Sequence, residues 1–286
     1  DASYSLSVAN VCTDVDSGDS LTYSISGAPS TITISGTTIS GTPLNADVGT
    51  HTITVTCTDD GTGTLSASDQ YELTVTNVND APTTSGGAAT IAEDATHTFT
   101  TTASDWGYTD VDSGDQLVTV DITTLPATGT LNYGGNAVSA GDDIAVGNLG
   151  GLTYVPVANA NGAVTFTFKV NDGDAWSASA GTFTMTYSAV NDAPVVASAI
   201  ADASTAEDSA YSLNVAGTCT DVDGDTLTYS ISGAPSTITI SGTTISGTPV
   251  NANVGAHTIT VTCTDDGSGT LSASCLLYTS DAADEE

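Results

Sequence analysis

Basic side chains are almost missing from this sequence: Lys169 stands alone against 34 Asp and Glu, for a formal net charge of −33 over 286 residues. Binding nucleic acid requires Lys and Arg to neutralise phosphates, so that class of partner is excluded. An anionic membrane surface is excluded on the same ground. No apolar run approaches the length needed to cross a bilayer, and the first residues, DASYSLSV, carry no basic region followed by an apolar one. No stretch shows the 3.6-residue apolar repeat of a helix. Gly-x-Ser-x-Gly, phosphate-loop and dinucleotide fingerprints are absent too.

What the sequence does contain is repetition. Residues 12–68 return at 219–274 with five substitutions (Ser20/Thr226, Leu44/Val250, Asp47/Asn253, Thr50/Ala256, Thr62/Ser268) and the loss of one residue beside Ser17. Between the two copies lies a divergent unit bounded by "NVNDAP" at 77–82 and "AVNDAP" at 189–194. The prolines disfavour helix before them and mark linkers. Three units are expected: 1–80, 81–192 and 193–274. Asp1 aligns with Asp208, so the first unit is expected to lack the strand that precedes "TAED" in the third. The copy fails after Ser274, where unit one's "LSASDQYELTV" becomes "LSASCLLYTS". Unit three is therefore expected to lack its last strand and expose a sheet edge, with 275–286 a non-native, sequencing-adapter-like tail.

Within the units the period is two. In "HTITVTC", His51, Ile53, Val55 and Cys57 share one face and the threonines the other; Phe166, Phe168 and Val170 of "TFTFKV" do the same. Short Thr-, Val- and Ile-rich strands between Gly, Asp and Asn turns indicate an all-β fold of tandem immunoglobulin-like sandwiches, about seven strands per unit.

Four cysteines belong to the duplicated units, Cys12 and Cys57, Cys219 and Cys263, while Cys275 lies in the divergent tail. Duplication of a unit with its pair favours bridging within each unit, and alternation sets Cys57 inward. No Cys or His lies at CxxC or HxxxH spacing, which argues against zinc. In the middle unit the matching positions are Tyr108 and Val170, an apolar pair. Oxidised cysteines imply an extracytoplasmic location.

The stretch "CTDVDSGD" at 12–19 sets a cysteine beside three carboxylates and returns as "YTDVDSGD" at 108–115 and "CTDVDGD" at 219–225. In an extended segment, Asp-x-Asp places both carboxylates on one side, so Asp14 and Asp16 can grip one hard cation while Val15 points into the core. An EF-hand is excluded, since the twelfth position from Asp14 is Ile25 where a bidentate Glu is required. Three tandem copies without a pocket-forming insertion do not make an enzyme active site. The blander reading is that the acids keep the chain soluble.

"CTDVDSGDSLTYSISG", then "VTCTDDGTGTLSASDQYELTVTNVNDAP", resembles the ordered Asp-x-Asp, Asp-Gly and Asn-Asp-x-Pro segments of cadherin repeats. The near-identical units look like dystroglycan-type cadherin-like or immunoglobulin-type repeats. The middle unit, with "LTYVPVANANG" and "FTFKVNDG", is similar to the bacterial cadherin-like (tandem-95) repeat. The resemblance implies Ca²⁺ between consecutive units. It implies Asn77, Asn79 and Asp80 with Asp110, Asp112 and Asp172 at the first junction. Glu93, Asn191 and Asp192 would act with Asp221, Asp223 and Asp265 at the second. Asp14, Asp16 and Asp59 of unit one, and Glu207 of unit three, would serve further units. The linker has Asn77 where cadherins carry an acid, and the Asp-Arg-Glu motif is absent, with only Asp47 near its place; one or two ions per junction are expected rather than three. Affinity would be roughly 0.1 to 1 mM.

The function implied is that of calcium-binding structural or adhesive repeats of a large secreted or cell-surface bacterial protein. Its partners would be neighbouring repeats of the same chain, together with a surface protein or glycan. Spacer or sugar-binding modules of a secreted enzyme form the second reading. His51 and His257 are expected to pack, Trp106 and Trp176 to cover the core rather than stack a sugar, and Lys169 to face outward.

Overall fold

The computed structural model describes residues 2–16 and 18–279. The chain is almost wholly β, and its buried apolar side chains fall into three separate clusters, one per repeat. Unit one packs two three-stranded sheets on each other. One is Tyr4–Ser7, Thr38–Gly41 and Ile32–Ser35; the other is Thr22–Ser26, Gly49–Thr58 and Ser66–Val75. Unit three repeats both and adds Val195–Val196, paired with Cys219–Thr220. Unit one thus has six described strands rather than seven, because no described segment supplies the counterpart of Val195–Val196.

The expected alternation is realised. Ile53, Val55 and Cys57 are buried while the threonines between them are not. Ile39 lies across the core from this strand and is fully buried. The two Cys pairs form disulfides, Cys12–Cys57 and Cys219–Cys263, each with Cα atoms 6.5 Å apart.

One expectation is corrected. Unit three does have a last strand: Ser272–Thr279 pairs with His257–Thr264 over eight consecutive positions. The residues that break the copy still alternate, with Ala273, Cys275, Leu277 and Thr279 turned inward and Leu277 fully buried, so the edge is filled although the sequence has changed. One hydroxyl is left over. Tyr4 meets Tyr71 at 3.3 Å in unit one, but Leu277 stands where Tyr71 does, and the Tyr211 hydroxyl has no partner among the described residues. Residues 280–286 of the expected tail lie outside the described residues.

Unit two is larger. A five-stranded sheet (Asp142–Ala145, Thr119–Thr124, Gly162–Asn171, Gly181–Ser188, Gly87–Ala92, the last pair parallel) faces a four-stranded one. All four Phe, both Trp and the single Met of the chain fall here. Phe99 stacks on Trp106 with centroids 5.4 Å apart, Trp106 meets Phe168 edge-on at 4.9 Å, and Phe166 stacks on Phe183 at 5.3 Å. Aromatic packing fills this core where the flanking units carry a disulfide.

Candidate functional site

Each Asp-x-Asp segment is a turn rather than an extended strand. The amide of the second Asp donates to Oδ1 of the first: Asp16 to Asp14 at 2.8 Å, Asp112 to Asp110 at 2.9 Å and Asp223 to Asp221 at 2.9 Å. This corrects the expected direction of the intervening valine. Val15 is 96% exposed, and Val111 and Val222 are also exposed, because the turn ends the alternation on which the inward placement depended. The turn also draws in a third acid. Carboxylate oxygens of Asp14, Asp16 and Asp19 lie within 4.8 Å of one another, as do those of Asp110, Asp112 and Asp115, and of Asp221, Asp223 and Asp225. The shorter loop of unit three keeps the trio, with Gly224 in a left-handed conformation, φ 80°, directly before Asp225, as Gly18 and Gly114 also take positive φ before Asp19 and Asp115.

A second loop approaches each trio. Asp59 accepts from the amides of Gly61 and Leu65, and Asp265 from those of Gly267 and Leu271, at 3.0–3.2 Å. Asp172 accepts from Asp174 and Ala175 at 2.7 Å. Burial works against the charge of Asp172, but the Ala175 and Asp174 amides and the Asn79 side chain outweigh it and hold the carboxyl below its ordinary range.

The linkers reach into these loops. At the first junction the Asp80 amide donates to Asp112 Oδ2 at 2.6 Å and Asn79 Nδ2 to Asp172 Oδ2 at 3.2 Å. At the second, the same contacts recur: Asp192 amide to Asp223 Oδ2 at 2.7 Å, Asn191 Nδ2 to Asp265 Oδ2 at 3.3 Å. Glu93, 4% exposed, accepts from the Val190 amide at 2.6 Å and lies with Asp192 and Asp223 in a further carboxylate cluster. Burial and the carboxylates of Asp223, Asp94, Glu93 and Asp221 push Asp192 upward; burial and neighbouring acids do the same to Asp115 and Asp225. Asp221 Oδ2 is buried and has no hydrogen-bond partner among the described residues.

The structure therefore gathers Asn79, Asp80, Asp110, Asp112 and Asp172 at one junction, and Glu93, Asn191, Asp192, Asp221, Asp223 and Asp265 at the other. Asn77 lines a surface hollow at the base of unit one and makes no described hydrogen bond to the cluster. Glu207 lines the corresponding hollow of unit three, away from the described carboxylate groups. Asp14, Asp16 and Asp59 sit at the end of unit one away from the first junction.

Two asparagines escaped the sequence reading. Asn45, on a short 3₁₀ turn at the base of unit one, donates from Nδ2 to Asp80 Oδ2 at 2.8 Å and to Asp112 Oδ1 at 3.0 Å. Asn159 does the same for Asp192 at 3.0 Å. Asp47 is instead consumed locally: its carboxylate accepts from the Thr31 hydroxyl at 2.6 Å and the Leu44 amide at 2.9 Å. Asn253 accepts the same pair in unit three, from Thr237 and Val250, so the exchange of Asp for Asn costs no bond. His51 and His257 each anchor that turn through its last carbonyl. Trp106 is core, and Lys169 faces Asp121 across the ladder.

Comparison with known proteins places these units. The family model described as "Putative Ig domain" matches residues 1–76 and 193–279, and that of the cadherin-like domain matches 78–186. Among curated proteins, the serine-rich adhesin for platelets of Staphylococcus aureus strain MRSA252 is 37% identical over 82 residues, 28% of this chain and only 6% of the adhesin. Among solved structures, the protocadherin gammaB4 extracellular domain superposes with TM-score 0.56 at 16% identity, over 92% of this chain and 45% of that one. Mouse clustered PcdhgC3 EC1-3 gives 0.52 at 13% identity, over 91% and 88%. At such identities the likeness concerns the fold. With the first family model matching more than half of its residues, the chain belongs to the immunoglobulin-type repeat family, and a cadherin-like unit stands between its two copies.

Proposed function

We propose that these repeats form part of the extended, Ca²⁺-stiffened region of a cell-surface or secreted adhesive protein, the cations being held at the two junctions. The observation that carries this reading is that the same three elements, a linker Asn-Asp pair, an Asp-x-Asp turn and an Asp loop, meet twice between different units. The donor set suits the ion: carboxylate and amide oxygens are the hard ligands calcium takes, and the buried, unpartnered Asp221 Oδ2 is an acceptor waiting for a positive charge. Ca²⁺ when bound supplies the positive charge that the one-lysine sequence lacks.

The residues do the rest. Asp80 and Asp192 hold each linker to the next unit through their amides, while burial first, and then the neighbouring carboxylates, push Asp115, Asp192 and Asp225 upward. Repulsion opens the junction and neutralisation closes it. Immunoglobulin-type and cadherin-like modules are structural and adhesive rather than enzymatic, and the matched adhesin and the disulfides support an extracellular setting. The test is the melting temperature in millimolar Ca²⁺ against chelator. A clear rise with Ca²⁺ is expected, and the absence of a shift would leave these units as passive spacers.

A further inference from the structure

We infer that the disulfides of units one and three are positioning elements of the acidic sites, so that the two junctions are held together by different means; the inference rests on the calcium reading above. Cys12 stands two residues before Asp14, and its partner Cys57 two residues before Asp59. Cys219 and Cys263 have the same relation to Asp221 and Asp265. Each bridge thus ties the roots of the two loops that meet beside one acidic trio. The second bridge is deep, with Cys219 and Cys263 both buried; in the first, Cys57 is buried and Cys12 half-buried.

The same loops touch again further out. The Ser20 amide donates to Asp60 Oδ1, and the Thr226 amide to Asp266 Oδ1, both at 2.7 Å. Gly61 lies against the Asp19 carboxylate, and Gly267 against Asp225 and Asn191, with no room for a Cβ in either place. Unit two has neither device. Tyr108 and Val170 replace the cysteines, and Gly173 stands where Asp60 does, so the cross-loop acceptor is missing. The Tyr108 hydroxyl donates to Asp110 Oδ2 at 3.2 Å, which steadies one loop but does not join the two.

The first junction therefore rests on an unbraced unit two and the second on a braced unit three. A crosslink two residues from a ligand leaves the ligand's charge alone. It limits how far two loops can part under their own repulsion, so the oxygens stay arranged without a cation. Loss of such supporting contacts commonly lowers metal affinity 10- to 100-fold, roughly.

The test uses the whole chain, Ca²⁺ alone as the titrant, and the amide NMR signals of Asp80 and Asp112 for the first junction and of Asp192 and Asp223 for the second. In Cys219→Ala with Cys263→Val, affinity at the second junction is expected to fall about tenfold, with the first unchanged. Cys219→Tyr with Cys263→Val, which carries unit two's own pair, serves if the first variant loses unit three. Unchanged affinity at the second junction in a folded variant overturns the inference while leaving the calcium reading intact; wild-type signals that ignore Ca²⁺ at both junctions overturn both. Hydrogen exchange of the unmodified chain in chelator gives an independent measure. The Gly267 and Leu271 amides held by Asp265 should exchange more slowly than the Asp174 and Ala175 amides held by Asp172, and equal rates would contradict the brace.

Discussion

At the scale of single residues, the site depends on acceptors whose charge matters in some places and not in others. Asp47 and Asn253 fill one role in two copies, accepting from a threonine hydroxyl and a backbone amide, so a neutral oxygen suffices there. Asp47→Asn should leave unit one's denaturation midpoint unchanged, whereas Asp47→Ala should lower it by removing the acceptor of both donors; chemical denaturation distinguishes them. Asp221 and Asp223 are the opposite case. Asp221→Asn with Asp223→Asn should reduce the Ca²⁺-induced rise in melting temperature while the Cys219–Cys263 bridge stays formed, read by thermal melts and thiol titration. Asp121 gives a pH test away from the junctions. Burial and the Asp143 carboxylate push it up, against the pull of Lys169, and its Oδ1 has no partner. A carboxyl raised in the folded state weakens the fold above its folded pKa and is relieved as pH falls through it. Lys169→Met should therefore destabilise unit two at neutral pH, by no more than about 1 kcal/mol for so accessible a pair. The deficit should narrow as pH falls into the carboxylate range.

At the scale of elements, period two was enough to read the strands, and it held even where the copy broke. Leu277 and Thr279 take the inward places of Tyr71 and Leu73, so a strand forms where loss of identity argued for none. Alternation misled at Val15, because a side-chain-to-amide bond within Asp-x-Asp turns the backbone, and the turn is invisible to a reading that assumes extension. The acids of the site were legible because they recur in sequence. Asn45 and Asn159 were not, since each comes from the base of the preceding unit, 35 and 33 residues from the linker Asp it reaches. The cores differ in the same manner. Reducing the disulfides should destabilise units one and three by roughly 3 to 4 kcal/mol each, given loops of 45 and 44 residues, and leave the aromatic core of unit two untouched. Calorimetry with and without reductant under denaturing pre-treatment reads this as loss of two transitions and survival of one.

At the scale of the whole molecule, a net charge of −33 with a single lysine leaves the chain without internal countercharge, and three of the four described carboxylate groups lie where units meet. Three independent cores joined by short Asn-Asp-Ala-Pro linkers would move freely unless something held the junctions, and the paired contacts of Asp80 with Asp112 and Asp192 with Asp223 are the places to hold them. Small-angle X-ray scattering of the intact chain, in millimolar Ca²⁺ and then in excess chelator at the same ionic strength, tests this most directly. Stiffened junctions predict a single well-defined maximum dimension with Ca²⁺ and a broader distance distribution, characteristic of flexible beads, without it. Superimposable profiles in the two buffers would contradict the account.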